Sequence, residues 1–452
     1  MRSLPGRVLA LLCLILVAYL AVGSLYAVKV PIWNAPDEPS HFNYVRHLAE
    51  TRQLPVLQVG DYDQALLERL KATRFPRSES IDSIGYESHQ PPLYYALASL
   101  VYTAIGGQPL ETRAVALRMF SLALGAAALV VAFAISRRLF PKDHTLALGV
   151  VALIAFLPMR MAIYASVNND VLAELVTSMV LLSLVAHWGR PWSRRQLALL
   201  GLLLGAALLT KVIAYVLVLL VPFGLLLSEK LRLQAEPRTI EKMLSGRLAK
   251  LVAQHTIIVY AFAGLLSGWW FARNLLTYGW PDAFGLIRHD AVVIGQATTG
   301  PLTLGVLRQF AAVFFQSFWG QFGWMGVPMD DRVYTALGML SALAGLGLVL
   351  ILLTRRSRPA ATPRGYGGML VLMGATVVLV FALVVQYNLK YVQAQGRYLF
   401  PAMVPIAAFL VLGWGEVLSE RHRALLLGGL LAGLCSLDLV ALYRFILPAL
   451  GT

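Results

Sequence analysis

The sequence predicts an all-α polytopic membrane protein: a bundle of about eleven transmembrane helices with further helices lying along its outer surface. Composition is the first observation, because 58% of the 452 residues are hydrophobic, only 13% are charged and the mean hydropathy is +0.69. The second is that apolar runs recur along the whole chain. The third is that Lys and Arg concentrate in alternate connections between these runs. We therefore expect one integral membrane domain, 1–452, without a separate soluble domain.

The apolar runs are long enough to cross a bilayer at eleven places. They fall at 8–28, 117–136, 145–164, 170–188, 196–210, 212–228, 251–271, 333–354, 368–386, 398–417 and 424–445. The first run follows Arg2 and Arg7 and is longer than the apolar core of a typical signal peptide, so we expect a retained anchor.

The run 92–105 is ambiguous, because it is shorter than the roughly 17 residues that a crossing needs and follows a double proline. If it crossed, four basic connections would lie outside, against the positive-inside rule. We therefore expect it at the outer interface, with the N-terminus inside and the C-terminus outside. The net charge of +15 is then mostly cytoplasmic and faces anionic lipid headgroups, and it does not indicate nucleic-acid binding. The basic connections contain Arg137 to Lys142, Arg190 to Arg195, Lys230 to Lys250, and Arg355 to Arg364.

Two long connections make the outer face the more elaborate one. The first outer loop spans 29–117 and is predicted to hold juxtamembrane helices, and the second spans 274–332. Connections of this length are usually functional or disordered, and the aromatic and apolar content here favours order.

Two adjacent acids, Asp37 and Glu38, follow the first span. Pro39 suits the first turn of a helix, so the pair stands at a loop-to-helix junction, and the residues beyond it show amphipathic helical spacing. One interpretation is that the acids cap this helix, which is most natural for Glu38. The other, which we favour for the pair, is a reacting group at the boundary between water and lipid.

Further polar residues are predicted on the same outer face. Asp170 ends the turn SVNND and is either an N-cap or a second site carboxylate. His89, in ESHQPPLYY, is either an ordinary polar group or a part of the site.

Three cations, Lys211, Arg273 and Arg397, lie at outer membrane ends. Cations there often reach for the interface, yet the positive-inside rule disfavours this side, and a lipid-linked phosphate would need such charges. Trp319 and Trp324, in SFWGQFGWM, fit either an interfacial aromatic belt or a platform for a sugar.

Taken in order, these motifs resemble the GT-C type glycosyltransferases, membrane enzymes that take a sugar from a polyprenyl phosphate. The relatives in question are the protein O-mannosyltransferases, the lipid A aminoarabinose transferase and a bacterial branch of unassigned function. The motifs are PDEPSHF, HQPPLYY, SVNND, ARNLLTYGWP, SFWGQFGWM and QGRYLFP. The resemblance implies that Asp37 is catalytic with Glu38 as its neighbour, and that Asp170 is the acid of the next outer loop. His89 stands where the family often has a cation, one residue further from the prolines because Gln90 intervenes.

The resemblance also implies an inverting transfer in which Asp37 is the base. The developing phosphate charge would be met by Lys211, Arg273 and Arg397, or by a divalent metal held by Asp37 and Asp170, since metal dependence varies across the family. The expected partners are a polyprenyl-phosphate-linked sugar, membrane lipids and an acceptor that is a glycan, a lipid or a protein. The expected location is the outer face of a bacterial cytoplasmic membrane. The alternative is a transporter or flippase of lipid-linked sugars, which needs the cations but no base.

Overall fold

The computed structural model describes residues 5–235, 241–354, 364–418 and 421–451. The helices of the N-terminal half are α1 (Gly6–Lys29), α2 (Glu38–Thr51), α3 (Gln64–Ala72), α4 (Leu93–Ala104), α5 (Leu110–Leu139), α6 (His144–Ala155), α7 (Pro158–Tyr164), α8 (Asp170–Ala186), α9 (Arg194–Leu208) and α10 (Leu217–Leu233). The C-terminal half contains α11 (Glu241–Tyr278), α12 (Leu286–Val292), α13 (Leu304–Trp319), α14 (Asp331–Thr354), α15 (Tyr366–Asn388), α16 (Met403–Val417), α17 (Arg423–Val440) and α18 (Leu447–Leu450). Short 3₁₀ segments occupy Tyr86–His89, Val212–Val216 and Gly396–Ala402, and a π-helical segment occupies Ala441–Ile446.

The predicted helical membrane protein is confirmed, whereas the count of eleven spans is not. Within the described ranges, eight helices are long and apolar enough to cross, or nine if α6 and α7, bent by 58°, form one span. The predicted spans 170–188 and 196–210 coincide with α8 and α9, which have only 17 and 15 residues. The connections 236–240 and 355–363, which carry part of the predicted cytoplasmic charge, lie outside the described residues.

Close helix contacts hold the bundle together. On α9, Gly205 faces α11 so closely that an added Cβ would lie 2.9 Å from the carbonyl oxygen of Ala263. Small residues let transmembrane helices approach in this way, since lipid supplies no hydrophobic force between them. This contact packs α9 tightly against α11.

The predicted helices of the first outer loop are present. Asp37 is followed by α2, which begins at Glu38 and whose first half is buried, and α3 is a second helix of this loop. The run 92–105 is α4, a helix of 12 residues and therefore shorter than a full span. Its place at the membrane interface stays a prediction.

A hairpin of two short strands, each of two residues, shapes the loop 274–332. Strand β1 (Gln321–Phe322) pairs antiparallel with β2 (Val327–Pro328), and Trp324 lies in its turn with a left-handed φ of 55°. The Tyr334 hydroxyl donates 2.6 Å to the carbonyl of Gly320 and fixes the hairpin against α14. This turn thus projects the Trp324 side chain toward the first outer loop.

Candidate active site

Asp37 occupies the junction between α1 and α2 in a left-handed conformation, with φ 66°, and its side chain does not cap α2. One carboxylate oxygen, Oδ1, accepts a hydrogen bond of 2.9 Å from the Tyr86 hydroxyl, and Oδ2 accepts one from the Arg397 guanidinium. Burial is the largest single influence and opposes ionisation of this carboxyl, but the positive charge of Arg397 and the hydrogen bonds from Arg397 and Tyr86 together lower the pKa of Asp37 to about 2. Asp37 is therefore an anion at neutral pH, and strained backbone of this kind is typical of functional sites.

Arg397 lies between two carboxylates. Besides Asp37, its Nη1 lies 3.9 Å from Oδ2 of Asp170, and its Nε donates 2.6 Å to the amide oxygen of Gln395. Gly396 positions it, because an added Cβ there would lie 2.5 Å from the backbone nitrogen of Phe318. The side chain of Arg397 is only 1% exposed.

Asp170, the first residue of α8, joins this group from the other side. Its Oδ1 accepts a hydrogen bond of 2.5 Å from the Lys211 ammonium group. The preceding turn is held by Asn169, whose amide donates to the carbonyl of Thr210 at 3.4 Å, next to Lys211. Four predicted residues therefore converge, and we call them the charge cluster: Asp37, Asp170, Lys211 and Arg397.

Glu38 points away from the charge cluster, although it is the next residue after Asp37. Its two oxygens receive Nε and Nη2 of Arg118 at 2.7 Å each, and also the backbone N–H groups of Trp33 at 2.9 Å and Val167 at 3.1 Å. Glu38 is fully buried. Each oxygen of Glu38 thus already accepts two hydrogen bonds, which favours a positioning role over the predicted catalytic one.

A cavity of about 280 Å³ opens beside the charge cluster. Asp37 lies in its wall together with a second carboxyl group, Glu87, and with Lys71 and Trp324. The other polar residues of the wall are one histidine, four tyrosines and three glutamines: His289, Tyr62, Tyr86, Tyr387, Tyr398, Gln296, Gln393 and Gln395. The lining is thus rich in hydroxyl, amide and aromatic groups.

His89 is enclosed behind this wall. Its Nδ1 lies 3.0 Å from the carbonyl of Tyr86, and its ring packs against that of His289 with centroids 4.5 Å apart. Burial and the neighbouring His289 hold the pKa of His89 well below its usual value. A neutral imidazole supplies no charge for a phosphate, so the geometry does not favour the predicted cationic role.

Arg273 also lies apart from the charge cluster. Its Nη2 donates 2.6 Å to the carbonyl of Pro55, and its guanidinium lies 5.1 Å from the ring centre of Trp270. These contacts fasten the first outer loop to the end of α11. Unlike Lys211 and Arg397, Arg273 contacts neither carboxylate of the charge cluster.

The two predicted tryptophans have different surroundings. Trp319 is buried in the core, whereas Trp324 lies in the cavity wall. The Trp324 indole N–H donates 2.9 Å to the carbonyl of Trp33, and the Lys71 ammonium lies 4.9 Å from its ring centre. Only Trp324 is therefore placed to meet a ligand.

Comparison with known families places the chain among membrane proteins. The model of the family described as "Predicted membrane protein (DUF2142)" matches residues 76–406, more than half of the chain. The chain belongs to the DUF2142 family. No curated protein matches it.

Solved structures show the fold of this DUF2142 protein. ArnT from Cupriavidus metallidurans, bound to undecaprenyl phosphate, is similar with a TM-score of 0.54 and 15% identity over 99% of this chain and 74% of that one. The same protein in its apo state gives 0.50 and 14%, over 98% and 73%. The oligosaccharyltransferase of Archaeoglobus fulgidus in complex with Zn and sulfate gives 0.48 and 14%, over 93% and 52%. The similarity to ArnT confirms the predicted GT-C-like fold.

A divalent metal between Asp37 and Asp170 does not fit this arrangement. Both carboxylates are already neutralised, one by Arg397 and the other by Lys211. The described residues also contain no group of three or more His, Cys, Asp or Glu that could hold a metal ion. The prediction of a metal shared by the two acids is therefore not supported by the donor set.

Several site residues of this DUF2142 protein were not singled out from the sequence. Arg118, which binds Glu38, and Glu87, which lines the cavity, are two of them. A third is His41, whose Nδ1 lies 2.8 Å from the Tyr95 hydroxyl. Burial, together with the charge of Lys211, lowers the pKa of His41 to about 3, so this histidine is neutral. Its place four residues after Asp37, on the same helical face as the junction, was the available signal.

Proposed function

We propose that this protein is a glycosyltransferase that moves a sugar from a polyprenyl-phosphate carrier to an acceptor on the outer face of a bacterial cytoplasmic membrane. The observation that carries the proposal is the charge cluster, whose Asp37 lies in the wall of a cavity rich in hydroxyl, amide and aromatic groups. Hydroxyl and amide groups pair with sugar hydroxyls, and an aromatic ring covers the apolar face of a sugar. The GT-C-like fold supports the same reaction class by analogy.

Lys211 and Arg397 are proposed to bind the donor phosphate. The Arg397 Nη1 has no hydrogen-bond partner within the described ranges, although it is buried. The Lys211 side chain is 15% exposed, so its ammonium is the more accessible of the two cations. A phosphate would accept hydrogen bonds from both groups, with the arginine offering a fork and the lysine a point charge. That ArnT was crystallised with undecaprenyl phosphate supports this class of donor.

Asp37 is proposed to orient the acceptor hydroxyl against the sugar. It is ionised and lies in the cavity wall, with its carboxylate fixed by Tyr86 and Arg397. The acceptor oxygen attacks the anomeric carbon from the face opposite the phosphate, and the bond to the phosphate oxygen breaks with its electron pair, which inverts the configuration. A phosphate is a good leaving group, so no general acid is needed once cations stabilise its charge. The acceptor is a glycan, a lipid or a protein.

The experiment uses the full chain in lipid nanodiscs. Binding of undecaprenyl phosphate is measured by native mass spectrometry for the wild type, for Lys211→Met and for Lys250→Met, an exposed lysine far from the cluster in sequence. We expect Lys211→Met to weaken binding about tenfold, the loss of one charge-assisted hydrogen bond, while Lys250→Met binds as the wild type does.

Transfer is then measured with radiolabelled polyprenyl-phosphate sugars and extracts of envelope glycans, lipids and proteins as acceptors. Label that leaves the lipid fraction together with free polyprenyl phosphate supports the proposal. A protein that moves the intact lipid-linked sugar across vesicles without releasing free polyprenyl phosphate would instead be a flippase.

A further inference from the structure

Glu87 is a second carboxyl group in the cavity wall, in addition to Asp37. It belongs to the 3₁₀ segment Tyr86–His89, and its backbone N–H donates 2.9 Å to the hydroxyl of Ser40, three residues after Asp37. The preceding residue, Tyr86, donates its hydroxyl to Asp37. The two carboxyl groups are therefore held to one another through short, rigid connections and face the same space.

The two carboxyl groups differ in how far their oxygens are engaged. Both oxygens of Asp37 accept hydrogen bonds, one of them from a buried guanidinium. By contrast, Oε2 of Glu87 is buried and has no hydrogen-bond partner among the described residues. Glu87 also forms no ion pair within the part of the chain that the structure describes. Buried carboxyl oxygens are nearly always hydrogen-bonded, so this oxygen retains acceptor capacity in a residue that lines the cavity.

The groups that face Glu87 set its proton affinity. Burial raises the pKa of Glu87, the negative charge of Asp37 raises it further, and Lys211 and His289 oppose both, which gives a value of about 7. Tyrosines complete its electrostatic surroundings: Tyr86, Tyr95, Tyr387 and Tyr398. Their surroundings thus separate the pKa of Asp37, about 2, from the pKa of Glu87, about 7. Such separation between neighbouring acids commonly marks a division of roles in catalysis.

We propose that Glu87 is the general base of the transfer reaction and takes the proton of the acceptor hydroxyl, which Asp37 orients. The inference rests on the proposed function and deepens it. As the acceptor oxygen bonds to the anomeric carbon, its O–H electron pair stays on oxygen and the proton moves to Oε2 of Glu87. The bond from the anomeric carbon to the phosphate oxygen breaks, and its electron pair leaves with the lipid phosphate. A base works best when its proton affinity matches the working pH, which Glu87 does and Asp37, held by Arg397, does not.

The test is the pH dependence of transfer by the full chain. The wild type should lose activity as the pH falls through about 7, because the base is then protonated. The logarithm of the rate should fall with unit slope against pH, as expected for one proton. Glu87→Gln should lower the rate about 100-fold and abolish this acid limb, while undecaprenyl phosphate still binds. Glu87→Asp should restore part of the rate with a displaced limb. Glu79→Gln, which alters a more exposed acid of the same loop paired with Arg69, is the matched control and should keep both rate and limb.

Infrared difference spectroscopy gives a readout that needs no transfer. The wild type should show a carboxylic acid band that disappears as the pH rises through neutrality, and Glu87→Gln should lack it. A Glu87→Gln protein that keeps the acid limb at near-normal rate, or a wild type without this titrating band, would overturn the assignment and return the base to Asp37. A wild type that shows the band but transfers no sugar from any lipid donor would instead remove the proposed function.

Discussion

Two groups of buried charges lie within this bundle, and they differ in how many of their donors and acceptors have partners. The enclosed pairs Glu38–Arg118 and Arg160–Glu174 are at most 1% exposed, and each arginine contacts both oxygens of its partner. The charge cluster holds as many charges but is looser: the Asp37 side chain is 23% exposed, and Oδ2 of Asp170 and Nη1 of Arg397 have no hydrogen-bond partners among the described residues.

The completeness of pairing indicates the role of each buried ion in the protein. A fully paired buried ion leaves no free donor or acceptor for a ligand. Removal of either partner, however, strongly destabilises the fold. Arg118 illustrates this, because it also donates to the carbonyls of Ala27 at 2.9 Å and Val30 at 2.7 Å and so fixes the end of α1. An incompletely paired group beside a cavity retains capacity for a substrate. The Glu38–Arg118 pair therefore holds the junction between α1 and α2 in place, whereas the charge cluster is the group that we propose acts on the substrate.

The largest effect is expected from breaking an enclosed pair. Arg118→Ala leaves Glu38 buried without a counter-ion and should destabilise the protein by about 3 to 5 kcal/mol, as for other buried pairs cut on one side. Thermal unfolding in detergent, followed by circular dichroism, measures it.

The control for that loss is Arg46→Ala, which removes a surface partner of Asp82, and its effect should stay below about 1 kcal/mol. If Arg118→Ala unfolds at the same temperature as Arg46→Ala, the distinction between saturated and open charges does not hold.

The sequence was sufficient to predict which residues gather, but not which of them pair. Alternation of apolar spans and basic connections assigned Asp37, Asp170, Lys211 and Arg397 to one end of the bundle, and the structure confirms that they meet. Their pairing depends on helix packing, which no local pattern encodes. Whether this end faces outward stays a prediction.

Adjacent residues with opposite roles are the hardest to tell apart from sequence. Asp37 and Glu38 diverge because the backbone of Asp37 is left-handed, and because Arg118, on a helix far along the chain, captures Glu38. The same holds for ESHQPP. The sequence predicts His89 as the site residue of this segment, whereas the structure places Glu87, in the 3₁₀ turn, in the cavity wall. A turn of this kind has no hydrophobic periodicity from which a facing direction could be predicted.

The next largest effect is expected from Asp37, in the incompletely paired charge cluster. Asp37→Asn keeps the shape of the side chain and removes the anion that orients the acceptor hydroxyl, so transfer should fall about 100-fold, as for a misplaced reactant. Binding of undecaprenyl phosphate should not weaken, because Arg397 loses a competing anion. Single-turnover assays on nanodiscs measure the rate. The variant should keep the acid limb of the wild type if Glu87 is the base, and a rate near that of the wild type would remove Asp37 from the reaction.

A smaller effect is expected where geometry changes but charge does not. Arg397→Lys keeps one positive charge and loses the planar fork that reaches both Asp37 and Asp170, so undecaprenyl phosphate binding should weaken about tenfold. Native mass spectrometry measures the affinity. Arg273→Lys is the matched control, since Arg273 binds the carbonyl of Pro55 outside the cluster, and it should bind lipid as the wild type does. Equal losses in both variants would indicate that a general distortion, rather than the cluster, governs binding.

The smallest effect is expected from replacing single tryptophan rings. Trp324 lines the cavity and is held by an indole hydrogen bond of 2.9 Å to the carbonyl of Trp33, whereas Trp319 is only 2% exposed. Trp324→Phe removes that hydrogen bond, worth about 1 kcal/mol, and narrows the aromatic face, so KM for the sugar donor should rise about fivefold with kcat nearly unchanged. Trp319→Phe should lower the unfolding temperature and leave KM unchanged, because its ring contacts the core and not the cavity. Steady-state transfer kinetics and thermal unfolding of both variants decide the matter, and a rise in KM for Trp319→Phe alone would place the sugar platform on the opposite side of the hairpin.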